Sequence, residues 1–456
     1  MLKSKKLTLA VLIPMTCMSV SYASEQSETK GFVEDSTATL TIRNGWIYRD
    51  KKDPGVHDQS SWAQGFIASY ESGFTPGIVG FGIDAVGDFA FKLGDNKHSG
   101  QEMIPLHHSN NDQPGKPYNQ WSRGGASVKA RISNTTIRYG TQISNLPVLQ
   151  SNTKARLLPE YYNGTSITSR EIKDLEVSLA YYTKDQGSAQ IATDQNHLKR
   201  AIAYGAKYKV NDQFNVAYYG ADLKNALNRH YVNLNYKYPL DADRSLTFDA
   251  MAYHTKYEKD VYDKISYTTT GEANTDKKNT IFGLSSSYNT GPHNVMLAYQ
   301  QNTGDSGYAY NFVGDGAGTV YLPNSYMSDF VGNKEKSVQV QYNLDLGKLG
   351  VLPGLNWTTA YVYGWDINVQ DNSKNGTGKL ITDNAKEREF FNQVSYTVQS
   401  GAAKDLSVKV RNSIYRASQD YNANQYIGST NEWRVFIDYP WKILKINLLI
   451  KDESRT

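Results

Sequence analysis

The chain carries one cysteine, Cys17, in 456 residues, which excludes an internal disulfide framework and a cluster of thiolate metal ligands. Beyond the N-terminus, no window approaches the roughly 20 consecutive apolar residues of a spanning helix. Charge of one sign is lacking too, with 49 basic against 45 acidic side chains, and no basic run marks a nucleic-acid-binding face. What is abundant is the material of turns and sheets. There are 34 tyrosines and 36 glycines, and 39% of residues are hydrophobic, enough to rule out disorder of the whole chain.

Residues 1–23 read as a secretory signal. Lys3, Lys5 and Lys6 precede an apolar run from Leu7 to Val20, and Ser21-Tyr22-Ala23 offers the small residues that signal peptidase accepts. Cleavage is expected after Ala23, because Pro14-Met15-Thr16 is a poor setting for a lipoprotein signal at Cys17. The loss of three lysines and no acid leaves 46 basic and 45 acidic side chains, a net charge of +1. The exported chain then has no cysteine, so its stability must come from hydrogen bonding and packing.

From Thr37 onward, apolar and polar residues alternate with period two, the mark of strands with two chemically different faces. Ala38, Leu40 and Ile42 oppose Thr39, Thr41 and Arg43. Ala126, Val128, Ala130 and Ile132 oppose Ser127, Lys129, Arg131 and Ser133. The pattern recurs at Ile202 to Lys209, Leu246 to Ala252, Ser337 to Leu344, Leu406 to Ile414 and Trp433 to Tyr439, and no useful helical periodicity interrupts it.

Short turns such as Thr75-Pro76-Gly77, Thr290-Gly291-Pro292-His293 and Gly401 to Asp405 alternate with long polar connections. The long ones are Gly94 to Gln120, Gln142 to Gly164, Gly304 to Lys334 and Asp366 to Lys386. Some 18 strands are expected, an all-β, antiparallel, up-and-down transmembrane barrel. A sheet in lipid must close, because hydrocarbon offers no hydrogen bond to a free edge. The barrel is too wide for side chains to fill, so a polar, water-filled lumen is expected. Trp46, Tyr48, Trp357, Tyr361, Tyr363, Tyr439 and Trp441 suit aromatic girdles.

Several long stretches are familiar: GFVEDSTATLTIRN from Gly31, WAQGFIASYESGFTPGIVGFGIDA from Trp62, RLLPE from Arg156, NSYMSDF from Asn324, AKDLSVKVRNSIYRA from Ala403 and NEWRVFIDYP from Asn431. In this order they resemble the OprD family of outer-membrane porins over nearly the whole exported chain. The resemblance implies an 18-stranded channel of the Gram-negative outer membrane, monomeric or weakly homo-oligomeric, that takes up small solutes past a ladder of basic side chains. The barrel domain is expected over residues 24–444. Residues 445–456 depart from the family pattern as a C-terminal extension beyond the strand that barrel-assembly machinery reads.

With the apolar faces turned to lipid, Arg43, Lys129, Arg131, Arg138, Lys207, Lys209, Lys409 and Arg411 face the lumen, since a basic residue in lipid costs about 2 to 4 kcal/mol at the midplane. Fixed cations there attract anions, and a guanidinium grips a carboxylate with two prongs. The plainer reading is that each cation pairs with a lumen acid such as Asp84, Glu176 or Asp249. The resemblance also implies that the segment Gln142 to Gly164 folds inward as a constriction loop, with Arg156, Tyr161 and Tyr162 at the opening; a solvated surface loop is the plainer reading. Gly304 to Lys334, which carries Asp329, would place acid opposite the cations and so orient zwitterions.

Other signals are weaker. Gly304-Asp305-Ser306-Gly307 resembles the surroundings of a protease serine, but triads are defined by geometry. Gly314 to Gly318 lacks the strand-to-helix setting of a phosphate loop, and His107-His108 has no metal spacing. The sequence therefore predicts a channel that passes small anionic or zwitterionic, carboxylate-bearing solutes by diffusion, with no catalytic residues, cofactor, metal or nucleic-acid partner. A barrel-based hydrolase and an exported adhesin or sugar-binding protein are the competing classes.

Overall fold

The computed structural model describes residues 24–94, 103–107, 115–194, 196–261, 276–371, 379–424 and 427–445. The expected signal, residues 1–23, and residues 446–456 of the expected extension lie outside them.

The period-two segments form an 18-stranded antiparallel sheet. Its strands are β1 Thr37–Lys51, β2 Gln59–Glu71, β3 Val79–Lys92, β4 Gln120–Ile132, β5 Thr135–Gln142, β6 Tyr161–Ser169, β7 Leu175–Gln186, β8 Ala201–Lys209 and β9 Phe214–Leu223. The second half comprises β10 Leu227–Pro239, β11 Arg244–Tyr257, β12 Lys277–Thr290, β13 His293–Gly304, β14 Lys336–Asp345, β15 Leu355–Gln370, β16 Leu380–Thr397, β17 Ser407–Ala417 and β18 Thr430–Lys445. Each strand pairs with the next, and β1 pairs with both β2 and β18, so the sheet closes. Closure gives every strand two neighbours, as hydrocarbon demands. Thr37 pairs with Lys445, so the last strand runs one residue past the expected barrel end.

The outward faces are apolar. Phe81, Val128, Leu297 and Val340 are all more than half exposed, the opposite of a water-soluble protein. Trp62 is the register partner of Trp46, and Trp433 that of Tyr48, so four outward aromatics sit at one height. Trp441, opposite Leu40, marks a lower ring. From Leu40 to Tyr48 the strand climbs roughly 20 Å along the membrane normal at a tilt of about 40°, close to the apolar band such barrels present. Two polar residues intrude on this face and satisfy each other: Asn44 donates to Gln64 Oε1 at 3.1 Å and accepts from Trp62 Nε1 at 3.0 Å.

The short turns and both described ends of the wall share one rim, the periplasmic one in barrels of this type. At the other rim the segments 143–160 and 305–335 fold into the barrel, the two segments expected as constrictions. Two corrections follow. Of the segment from Asp366 to Lys386, expected as a loop, the described residues 366–370 and 380–386 are strand, because β15 and β16 continue through register shifts between Gly364 and Gln370. Its residues lose the apolar-out pattern because that part of the hairpin stands beyond the lipid.

The lumen is also not polar throughout. Ile47, Ala63, Ala90, Trp121 and Phe436 point inward and pack with Met103, Leu157 and Leu158. A larger cluster joins Tyr182, Tyr231 and Tyr253 of the wall to Val148, Leu149, Tyr308, Val313 and Leu322 of the inward segments. Alternation alone cannot show which inward positions meet water and which meet protein. Glycine permits close approach of an inward segment to the wall: a methyl built at Gly65 would lie 3.2 Å from both Leu157 Cγ and Leu158 Cδ2, and one at Gly283 2.5 Å from Pro323 Cδ.

The outward assignment predicts that Leu284→Arg, on the lipid face of β12, weakens folding into bilayers by about 2 to 4 kcal/mol. Equilibrium refolding into lipid vesicles measures this, and a change within error would reverse the assignment for that strand.

Candidate pore constriction

The first inward segment is pinned by arginine side chains from the wall. Arg43 on β1 pairs through Nε with Asp438 Oδ1 at 2.6 Å and donates through Nη1 to the carbonyl oxygens of Thr153 and Arg156, each at 3.0 Å. Arg123 on β4 donates to Asp88 at 2.8 Å, to the Pro159 carbonyl at 2.5 Å and to the Gly187 carbonyl at 2.6 Å. Both side chains of the Arg123–Asp88 pair are fully buried. Guanidinium suits this task because its planar fork serves several acceptors at once.

The second segment is held by amides and a third arginine. Gln300 on β13 donates to the carbonyls of Asp329 and Phe330, and Asn302 to those of Val331 and Gly332, at 2.7 to 2.9 Å. Arg229 on β10 donates to Asp315 at 2.9 Å and to the Ala309 carbonyl at 2.8 Å. The Gly314 to Gly318 run is a contact between the two segments, with the Gly318 N–H donating to the Gln150 carbonyl at 2.9 Å. Glu160 joins them again: its Oε2 accepts the N–H groups of Asn152 and Ala317, each at 2.9 Å.

Between these segments and the wall lies a cavity of about 460 Å³. Arg49, Arg156, Arg411 and Arg434 line it, as do Asp329, Tyr310 and Tyr326. Arg49 on β1 and Arg434 on β18 share one carboxylate, Glu432, at 2.7 and 2.5 Å. Arg411 on β17 is the register partner of Arg434, and its guanidinium lies 5.0 Å from the centre of the Phe391 ring. Its Nε is buried with no hydrogen-bond partner among the described residues. Asp329 is half-buried and accepts from Tyr310 OH at 2.6 Å and from Ser325 Oγ. Burial pushes its carboxyl up from the usual carboxylate range, while those hydrogen bonds and the Arg434 and Arg156 charges hold it down.

The other cations anticipated from the sequence are dispersed. Lys409 lies on the inward face of β17, two residues from Arg411 and within electrostatic reach of Lys154 and Arg43. Lys129 is buried against Asp84 at 2.6 Å, and Arg138 donates to the other oxygen of that carboxylate at 2.9 Å. Arg131 donates to Gln26 at 3.1 Å and lies over the Phe74 ring. Lys129 and Arg131 thus brace the turn at Phe74, Arg131 also the N-terminal arm, while Lys129 and Arg138 take the plainer role of pairing with Asp84. Lys207 lies on the inward side of β8, and Lys209 sits at the turn beside Asp212 at 2.6 Å.

Tyr161 and Tyr162 require correction, because neither lines the cavity. Tyr161 is 3% exposed and donates to Asp88, and Tyr162 is 1% exposed and donates to the Gly314 carbonyl. Each ring gains more from packing than from water once its hydroxyl has an acceptor. Arg49, Arg434 and Arg123 escaped the sequence reading although the signal was present: Arg49 shares the parity of Arg43, Arg434 sits between Trp433 and Val435, and Arg123 continues the Arg131, Lys129, Ser127 face through Gly125. Ser306 of the protease-like fragment is fully buried, and its carbonyl accepts from Asn279. No cluster of three metal-type side chains occurs among the described residues, and His108 lies outside them.

A closed 18-stranded barrel, apolar outside and narrowed within by its own loops, defines a diffusion channel of the Gram-negative outer membrane. The family model for outer membrane porins of the OprD family matches residues 30–443. Porin D of Pseudomonas aeruginosa is 36% identical over 97% of this chain and 99% of its own length. Among solved structures, OccAB1 of Acinetobacter baumannii is 57% identical with a TM-score of 0.86, covering 92% of this chain and all of that one. OpdK of Pseudomonas aeruginosa, solved with vanillate, is 26% identical with a TM-score of 0.75, covering 90% of this chain and all of that one. The chain belongs to the OprD family, whose members are porins set in outer-membrane lipid and passing small solutes.

Glu160 makes the link between the two inward segments sensitive to pH. Burial pushes its carboxyl up to about 8, against the pull of the two N–H donors. The unfolded carboxyl ionises near 4.5, so between those values the folded state binds the extra proton and stability falls as pH rises. Glu160→Gln is expected to flatten the fall in apparent unfolding midpoint in detergent from pH 5 to pH 8. Parallel curves for the two proteins would remove Glu160 from the pH response.

Proposed function

We propose that this porin is selective for small carboxylate-bearing solutes, among them basic amino acids and aromatic or other organic acids, and passes them by passive diffusion through the cavity bounded by Arg49, Arg156, Arg411 and Arg434. The observation that carries this reading is the opposition of charge: four arginines line the same cavity as the Asp329 carboxylate. Such opposition sets up a transverse field that orients a zwitterion, carboxylate toward the arginines and ammonium toward Asp329. Arg411 is the best-placed donor to a solute carboxylate, since its Nε has no hydrogen-bond partner among the described residues and its stacking on Phe391 pre-orients the fork. Lys409 extends the path, with Lys207 facing the lumen on the far wall. Several moderate sites in series favour flux over trapping.

The vanillate bound in the related OpdK structure supports a carboxylate-bearing solute for this chain as well. The reading includes export directed by residues 1–23, insertion by barrel-assembly machinery acting on the terminal strand, residues 445–456 as an extension of it, and a monomer or weak homo-oligomer. It involves no covalent chemistry, cofactor or metal.

Liposome swelling with amino acids, aromatic acids and sugars ranks the solute classes. Arg411→Glu and Lys409→Glu are expected to lower permeation of anionic relative to neutral solutes of equal size, the former by about tenfold, or ~1.4 kcal/mol. An unchanged ratio would falsify the assignment of these two residues to the path.

A further inference from the structure

We infer that Glu389 and Glu387 on β16 are positioning residues for selectivity: they hold the segment 325–330 so that Asp329 faces the arginines at a set distance. This rests on the reading that Asp329 and the arginines bound the solute path.

The segment around Met327 and Ser328 leaves the strand ladder, so its N–H groups need acceptors from elsewhere. Glu389, fully buried, supplies them. Its carboxylate accepts the Met327 N–H at 3.1 Å and the Ser328 N–H at 3.0 Å, so one side chain takes two successive amides. Glu387, two residues away on the same inward face, accepts from Ser328 Oγ at 2.8 Å. Ser328 immediately precedes Asp329, and Gln300 fixes the Asp329 carbonyl from the other side at 2.9 Å. The Asp329 main chain is therefore held on both flanks by wall side chains.

The arginine side of the opening is referenced to the same strand. Phe391, the next inward residue of β16, stacks on Tyr326 with centroids 4.1 Å apart and rings 18° from parallel. The Arg411 guanidinium lies 5.0 Å from that same ring. Glu387, Glu389 and Phe391 thus form a rigid row that touches the acid-bearing segment and the neighbourhood of Arg411 together. A carboxylate is a costly group to bury, and a neutral acceptor would suffice for solubility in the wall. What the side chain supplies is one oxygen, Oε2, that accepts both adjacent amides, at 3.2 Å from Met327 N and 3.0 Å from Ser328 N, and this fixes position.

The test is the reversal potential of single channels in a KCl gradient for the wild type, Asp329→Asn, Glu389→Ala and Glu389→Gln, with heat-modifiable migration confirming a closed barrel. Both Glu389 variants remove the same charge, but Gln keeps an oxygen that accepts the two amides. Glu389→Ala is expected to shift the potential toward anion selectivity at least twice as far as Glu389→Gln, and to add little in the Asp329→Asn background. Where the Ala variant does not form a barrel, Glu389→Asp serves: it keeps the charge, draws it back by one methylene and is expected to shift the potential in the same direction. Equal shifts for Ala and Gln, or a wild-type potential for Asp, with a clear effect of Asp329→Asn, would overturn the positioning role and leave the solute path standing. No effect of Asp329→Asn would overturn both.

Discussion

Hydrocarbon cannot accept or donate a hydrogen bond, and that constraint governs the rest of the molecule. It requires the pairing of β1 with β18 from Thr37 with Lys445 to Lys51 with Thr430, because a sheet of this size with open edges would leave two rows of unpaired peptide groups in lipid. Once the wall is closed, every outward position must be apolar or satisfied locally, as Asn44, Gln64 and Trp62 satisfy one another. Polar residues are thereby driven inward, and the lumen inherits a surplus of charge that has to be organised.

That organisation assigns the interior charges to two different tasks. Arg43, Arg123 and Arg229 are anchors whose guanidinium groups meet a wall carboxylate or a loop carboxylate together with loop carbonyls. Buried pairs of this sort add little net stability, since desolvation offsets most of the attraction. What they provide here is a defined place for two long segments that stand outside the barrel sheet. Arg49, Arg156, Arg411 and Arg434 instead line the cavity, although Arg434 is buried as deeply as Arg43. Residue type does not separate the two groups; position relative to the cavity does.

The apolar contacts inside the barrel complete this division. Tyr162, Tyr182, Tyr231, Tyr253 and Tyr308 form a stacked interior that carries the inward segments on one side, leaving the arginine-lined side near β1, β17 and β18 to water. Tyrosine is well suited to such an interior: its ring packs like phenylalanine, and its hydroxyl finds a carbonyl, as Tyr253 does at Pro147 and Tyr257 at Ala309. The interior is consequently asymmetric in section, with aromatic packing around Arg229 on one flank and the four cavity arginines with Glu432 on the other.

Strand existence, the outward face and the number of strands were legible in the sequence, because lipid imposes a two-residue period on every strand that crosses it, whereas the inward course of two of the long connections rested on the family resemblance. The inward direction of Lys409 and Arg411 followed from the same period. The fate of each inward side chain did not, since parity distinguishes inside from outside but not water from protein. Lys129 met Asp84 across the β3–β4 pair, Tyr161 and Tyr162 sank into packing, and β15 and β16 ran on beyond the bilayer where the period no longer applies. Those outcomes were decided by the tertiary structure, because they depend on which residues distant in the chain fold against one another inside a closed wall.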